Sequence, residues 1–434
     1  MNPGGPRAER PRHDRGFSFL IPALHRDRGR TRGPDWLLGI LLGALYVAAI
    51  VLMHGHPRML SDEVNHYPQI ALFLRGDIRV LVDYLTTIPG YHALVAALMR
   101  VFGADGLDAA RLVNAAFGLV AAGGFHALRR DAWPGTESIA TAQLLVLPIL
   151  VPLFFIVYTD VLALALVLWA VWATLRGCHW VSVALLCVLV CVRQNAVVWS
   201  GFAAVLALWP IWRRGGSGAW RELARVAWPY LLPSAGFLGF WAWNGSISLS
   251  TGQAAMHPDL QLHAGNVFLA LFLAGALLPL HVVTGLGDFA GAARRRGWLM
   301  LLPIALFAAV WFGFRVDNPY NTALPDYYVR NAFLLAVASD PLVRAAFGLV
   351  VAAAACALAP TPLRPSHAAW LYAFGAFFLA ASWLIEQRYA LVPLVLWLAF
   401  RRQRSTTIEF ATFALWLLLA VCVYAGMISD RFFL

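Results

Sequence analysis

Immediately after the first long apolar run stands Ser61-Asp62-Glu63-Val64-Asn65-His66-Tyr67-Pro68-Gln69. Two adjacent carboxylates in a polar string beside hydrocarbon are the strongest chemical signal in the chain. A carboxylate there could take the proton of a sugar hydroxyl as that hydroxyl attacks an activated anomeric carbon. Asp62 and Glu63 equally suit the start of an ordinary helix, because acids favour that position. Adjacent side chains at a helix start cannot both point the same way, so one is expected to face a cavity while the other caps the helix or orients a sugar. Either acid could be the base.

Other polar residues sit where such a reaction would need them. Arg193, Arg388 and Tyr389 stand at the ends of apolar runs. Guanidinium groups there could grip a phosphate with two N–H groups and meet its charge as it leaves, or simply snorkel to the membrane surface. His257 and His263 lie in one long loop and could donate to phosphate. His66, Tyr158, Asp160, Gln194, Asn195, Asp317, Asn318 and Glu386 are candidates for holding sugar or acceptor. His257, His263 and Asp259 lack ligand spacing, so no metal site and no cofactor is expected.

These residues need elements to position them, and composition dictates the kind. Of 434 residues, 61% are hydrophobic and 13% charged, where a soluble domain carries roughly a quarter charged residues. Apolar runs of about 20 residues recur from Trp36 to Tyr424, each long enough to cross about 30 Å of hydrocarbon. They lack strand-like alternation, so an all-α polytopic membrane protein with about thirteen crossings is expected. The net charge of +11 comes from arginines clustered between apolar runs, which fits membrane topology and membrane lipids as partners and gives no reason to invoke nucleic acid. The five cysteines carry no metal or disulfide pattern; Cys187 and Cys191 share a helix face and are expected to be packing residues.

Residues 1–35 are rich in Arg, Pro and Gly and read as a disordered cytoplasmic tail. Residues 36–434 read as one transmembrane domain. Eight arginines precede Trp36, so the first helix, 36–53, runs outward as an uncleaved anchor. Residues 54–108 then form the first outer loop. Within it, 89–102 is too short to span comfortably and reads as a juxtamembrane helix started by Pro89, as does the amphipathic stretch after Asp62. The second span is expected over 109–128. With that choice, the Arg129-Arg130, Arg213-Arg214, Arg294-Arg295-Arg296 and Arg401-Arg402 clusters all fall inside, and the polar candidates above fall outside.

The string Ser61 to Gln69, followed in order by Thr86-Thr87-Ile88-Pro89-Gly90-Tyr91, Arg111-Leu112-Val113-Asn114, Tyr158-Thr159-Asp160 and Val192-Arg193-Gln194-Asn195, resembles the eukaryotic dolichyl-phosphate-glucose α-1,2-glucosyltransferases. Val316-Asp317-Asn318, Tyr327-Tyr328-Val329 and Glu386-Gln387-Arg388-Tyr389 resemble that family's later motifs. Its histidine segment is matched loosely, by Met256-His257-Pro258 and Leu262-His263. The resemblance implies the GT-C membrane glycosyltransferase fold, a luminal or periplasmic site and a base in the first outer loop, and it favours the first acid of the pair, Asp62, with Glu63 second. It also implies a polyprenyl-phosphate sugar as donor, a glycan or lipid-linked acceptor, and inverting single displacement, usually without a metal.

The lysine-free, arginine-rich composition points to a high-GC bacterial genome. The expected location is therefore the cytoplasmic membrane, with the site facing the periplasm. A transporter or lipid-carrier flippase is the competing class; it would place polar residues at mid-membrane depth on several helices, and few stand there. Cysteines introduced at Ser61 and Gln387 should react with impermeant thiol reagents from outside intact cells; labelling only after the membrane is breached would refute this topology.

Overall fold

A computed structural model describes residues 35–250, 259 and 261–434. The expected tail, apart from Asp35, and the candidate His257 lie outside the described residues. Among those described, the chain forms nineteen α-helices and no strand, with two isolated bridges, Tyr328 to Phe433 and Leu363 to Arg401. Five helices are long and apolar enough to cross a membrane: Trp36–Met53, Gly106–Ala132, Gln194–Arg214, Pro341–Leu358 and Thr406–Ile428. A sixth span results if Gly265–Leu277 and Pro279–Arg295, bent by 102°, count together, and six shorter apolar helices accompany them. About thirteen crossings were expected; among the described residues, the five long helices, the bent pair and the six shorter helices are the apolar helices available for them. Trp36, Ile40 and Val51 stand more than half exposed along the first of these helices, an apolar surface that only lipid covers favourably. The protein is an integral membrane protein.

The first helix, α1 (Asp35–Met53), is followed by the short pair α2 (Glu63–Arg75) and α3 (Gly90–Val101). Gly76, at φ +99°, ends α2 by donating to Leu72 and Phe73 carbonyls, a conformation open to glycine without penalty. Helix α3 falls where a juxtamembrane helix was expected; its 12 residues reach about 18 Å, well short of a bilayer core. The long α4 (Gly106–Ala132) follows, then α5 (Glu137–Leu145) and the single turn α6 (Val151–Phe154).

Helix α7 (Thr159–Leu175) is the centre of the molecule. It is buried on nearly every side, packed against α4, α8 (His179–Val192), α9 (Val198–Arg214) and α18 (Leu391–Phe400). A helix apolar all round belongs in such a position. Small residues let α4 approach closely: a Cβ on Gly118 would meet the Tyr46 hydroxyl at 2.5 Å and the Phe154 ring at 2.6 Å. Helices α10 (Ala219–Ala227) and α11 (Leu231–Asn244) flank this core. A second core forms among α12 (Gly265–Leu277), α14 (Leu301–Gly313), α15 (Val329–Ser339) and α16 (Pro341–Leu358), around Phe268, Phe314 and Phe347, with α13 (Pro279–Arg295) packed against α16. Helices α17 (Leu371–Ala380) and α19 (Thr406–Ile428) complete the chain. Cys187 is half-buried and packs against the core, as expected, whereas Cys191 is exposed and does not.

Polar side chains gather at the two ends of this bundle. At one end Glu409 accepts from both arms of Arg401, at 2.8 and 2.7 Å, and from the Arg404 amide. Arg129 there donates to the carbonyls of Leu398 and Ala399. The other end gathers Asp62, Asp160, Arg193, Glu386 and Arg388. The Arg401 and Glu409 side chains are each only 2% exposed. Glu409→Gln should strand the buried guanidinium and cost about 3–5 kcal/mol, read as a lower Tm in detergent. Replacing both residues by Met should recover much of the loss, and an unchanged Tm in the single variant would contradict the pairing.

Candidate active site

The chain leaving α1 must turn sharply before α2, and Ser61 does so at φ +50°, a conformation costly for a residue with a Cβ. Glu63 holds the turn. Its Oε1 accepts from Arg111 Nε at 3.0 Å and from the Val157 amide at 2.9 Å. Its Oε2 accepts from an Arg111 terminal nitrogen at 2.7 Å and from the Leu60 amide at 2.9 Å. Arg111 in turn donates to the carbonyls of His56 and Arg58. Glu63 is fully buried and does not line the neighbouring cavity. The second-choice base is thereby placed as a structural anchor, with both oxygens committed.

Asp62 faces the other way. It lines a cavity of about 680 Å³ whose walls come from the first loop, the start of α7, the turn before α9, α11, α17 and the turn before α18. Its Oδ2 lies 2.7 Å from Arg388, and its side chain is 30% exposed. Burial alone would raise the Asp62 carboxyl, but Arg388, His66 and a hydrogen bond from Tyr158 hold it below the ordinary value. His66 lines the cavity beside it and shares a 3.0 Å hydrogen bond with the buried His92. Burial lowers the His66 imidazole to about 4, against the pull of Asp62, so it is neutral at pH 7.

Three guanidinium groups complete the site. Arg193 pairs with Asp160 and lies 5.2 Å from the Tyr389 ring centroid. Arg388 pairs with Asp62 and Glu386, lies 3.8 Å from Asp160, and stacks over the rings of Tyr158 and Tyr389 at 5.2 and 5.7 Å. Arg330, from the first turn of α15, donates to Glu386 at 2.7 Å and lies over Tyr328. The sequence reading did not single out Arg330. Its signal was its place, next to Tyr327-Tyr328-Val329 in an outer loop where an unmatched charge is expensive. Three carboxylates and three guanidinium groups therefore share one end of the bundle, with one carboxylate, Asp62, distinctly more exposed than Asp160 or Glu386. Such an arrangement can accept a proton at Asp62 and receive an anion beside it.

The other candidates divide. Tyr158, Asn195 and Tyr389 line the cavity, and Asp160 lies behind the arginines. Gln194 also lines it, but its amide is committed to the carbonyls of Thr86 and Ile247 and to the Ile88 amide. The structure does not bring Asp317, Asn318 or His263 to the wall. Asp317 accepts from the Trp383 indole, Asn318 caps the Tyr320 amide, and His263 contacts Gln261. Asp259 accepts from Trp241, Ser246 and the Ile247 amide, and among the described residues no group of three His, Cys, Asp or Glu could hold a metal.

Comparison with known proteins gives two findings. No curated protein matches the sequence. Among solved structures, ArnT from Cupriavidus metallidurans is similar in its apo state, with a TM-score of 0.42 and 16% identity over 89% of this chain and 77% of ArnT. The same protein bound to undecaprenyl phosphate gives a TM-score of 0.43 and 15% identity over 91% of this chain and 79% of ArnT. In sequence, residues 56–218, the stretch that carries Asp62, Glu63, Arg111, Asp160 and Arg193, match the model of the DIE2/ALG10 family.

Proposed function

We propose that this chain is a membrane glycosyltransferase of the GT-C type that transfers a hexose, with glucose the first choice, from a polyprenyl-phosphate donor with inversion. The acceptor is a hydroxyl of a lipid-linked glycan, polysaccharide or protein glycan on the outer side of a bacterial cytoplasmic membrane. The observation that carries the reading is the meeting, in one cavity, of an accessible carboxylate with the guanidinium groups of Arg193 and Arg388. The DIE2/ALG10 match over the stretch containing Asp62 and Arg193 supports the donor class.

In this reading Asp62 takes the acceptor's proton as its oxygen attacks the anomeric carbon. The bond from that carbon to the phosphate oxygen breaks with its electron pair going to phosphate. Arg193 and Arg388 meet the charge that develops there, where aromatic walls exclude water. His66, Tyr158 and Asn195 are placed to touch the sugar, and Glu63 keeps the loop in register without touching it.

The decisive assay incubates the purified protein in detergent with synthetic polyprenyl-phosphate glucose, mannose and arabinose, together with lipid-linked glycan and polysaccharide acceptors, and follows release of polyprenyl phosphate. No release from any donor would refute the enzyme reading. Asp62→Asn should fold and bind donor yet turn over about 10²- to 10⁴-fold more slowly. Because Arg388 holds the Asp62 carboxyl down, the base is charged above the ordinary aspartate value, and kcat/KM should fall only as pH drops below about 4. Arg193→Lys and Arg388→Lys keep the charge but lose the fork, and each should lose turnover or donor affinity. Wild-type kinetics in Arg388→Lys would remove that residue from the phosphate site.

A further inference from the structure

The arginine assigned to the donor phosphate is the same one that holds the base. Arg388 donates to Asp62 Oδ2 at 2.7 Å through a terminal nitrogen, while its Nε is engaged by Glu386. Glu386 is itself fixed from behind, by Arg330 at 2.7 Å and by its own amide donating to Asn266 at 2.9 Å. The guanidinium is therefore anchored at Nε and flanked by Tyr158 and Tyr389. Its terminal edge can be re-addressed from one anion to another without the side chain leaving its place.

Of the anions around it, Asp62 is the exchangeable one. The Asp160 and Glu386 side chains are 6% and 8% exposed, whereas Asp62 is 30% exposed and opens onto the cavity. Charge points the same way. Asp62, Asp160 and Glu386 balance Arg193, Arg330 and Arg388, and His66 beside them adds none when neutral. An arriving phosphate has no uncommitted guanidinium in this set to meet it. It competes with a carboxylate for a guanidinium that is already paired, and the accessible carboxylate is Asp62.

We propose that Arg388 is shared in turn: it pairs with Asp62 until the polyprenyl-phosphate donor binds, then transfers to the donor phosphate and so releases Asp62 to act as base. The inference rests on the reading given under the proposed function. A carboxylate held by a guanidinium is a weak proton acceptor, and one relieved of it beside a phosphate is a stronger one. The base is thus switched on by the donor it serves. The proton count closes: the acceptor's proton passes to Asp62, phosphate gains the electron pair of the broken bond, and the charge of the pocket is the same before and after transfer.

The test is a binding measurement on the full-length protein in detergent, with undecaprenyl phosphate as probe and inorganic phosphate as a second probe for the head group alone. Wild type, Asp62→Asn, Arg388→Gln and the double variant are compared, with Asp62→Ala as a further probe of the same position. Removing the carboxylate frees Arg388, so Asp62→Asn and Asp62→Ala should bind the lipid phosphate about five- to tenfold more tightly than wild type. In the Arg388→Gln background that gain should vanish. A gain that persists there would mean direct repulsion between carboxylate and phosphate and would overturn the sharing, as would unchanged or weaker binding by Asp62→Asn. If all five proteins bind with equal affinity, the lipid-phosphate site stands, Arg388 leaves it and the sharing falls. If none binds either probe, both fall together.

Discussion

A carboxylate that cannot reach water has to be matched or it does not stay charged, and Glu63 is matched from four directions. Arg111 supplies a two-pronged partner from α4, while the Leu60 and Val157 amides supply the rest. These bonds join the loop after α1, the start of α2, the beginning of the second long helix and the entry to α7. A buried pair of this kind contributes little net stability compared with an apolar replacement, yet breaking one partner is severe. Its value here is geometric: it fixes a loop that would otherwise be free to slide over the bundle. Asp62 inherits a defined direction because its neighbour has none to choose.

From that fixed point the site assembles by charge matching. The start of α7 brings Tyr158 and Asp160, and the turn before α9 brings Arg193. The turn before α18 brings Glu386 and Arg388, and α15 brings Arg330. Each guanidinium has a carboxylate partner and an aromatic face. Planar stacking leaves the edges of the fork available for hydrogen bonds in the plane, which suits Arg and would not suit Lys. The apolar middle of the bundle holds this end and the Arg401–Glu409 end apart.

Much of the arrangement was legible in the sequence because membranes make charge expensive. The turns carrying Asp62, Tyr158, Arg193 and Arg388 could be grouped on one side by topology alone, and α3 and α4 begin and end within a few residues of their expected bounds. What could not be read was direction. Asp62 and Glu63 are adjacent and chemically alike, and only the position of Arg111 in space decides which one turns inward. Arg330 escaped notice because its partner, Glu386, lies 56 residues away. Asp317 and Asn318 sit in the right loop, but their side chains are spent on Trp383 and on the local backbone. The 102° bend between α12 and α13 was not legible for a related reason: apolar composition persists through it, and hydropathy does not register a change of direction.

The sequence separations of these contacts also set an order of assembly. Glu63 and Arg111 are 48 residues apart, so their pair can close soon after the second long helix enters the membrane. Asp62 and Arg388 are 326 residues apart, and Val329 receives its backbone partner from Phe433, at the far end of the chain. At ribosomal speeds the interval between the two events is on the order of tens of seconds. Through that interval the first loop is already pinned by Glu63, while the guanidinium that will quiet Asp62 has not yet been made. A charged acid at the membrane surface waits, correctly aimed, for its partner to be synthesised. The early pair is therefore a folding template for the late one.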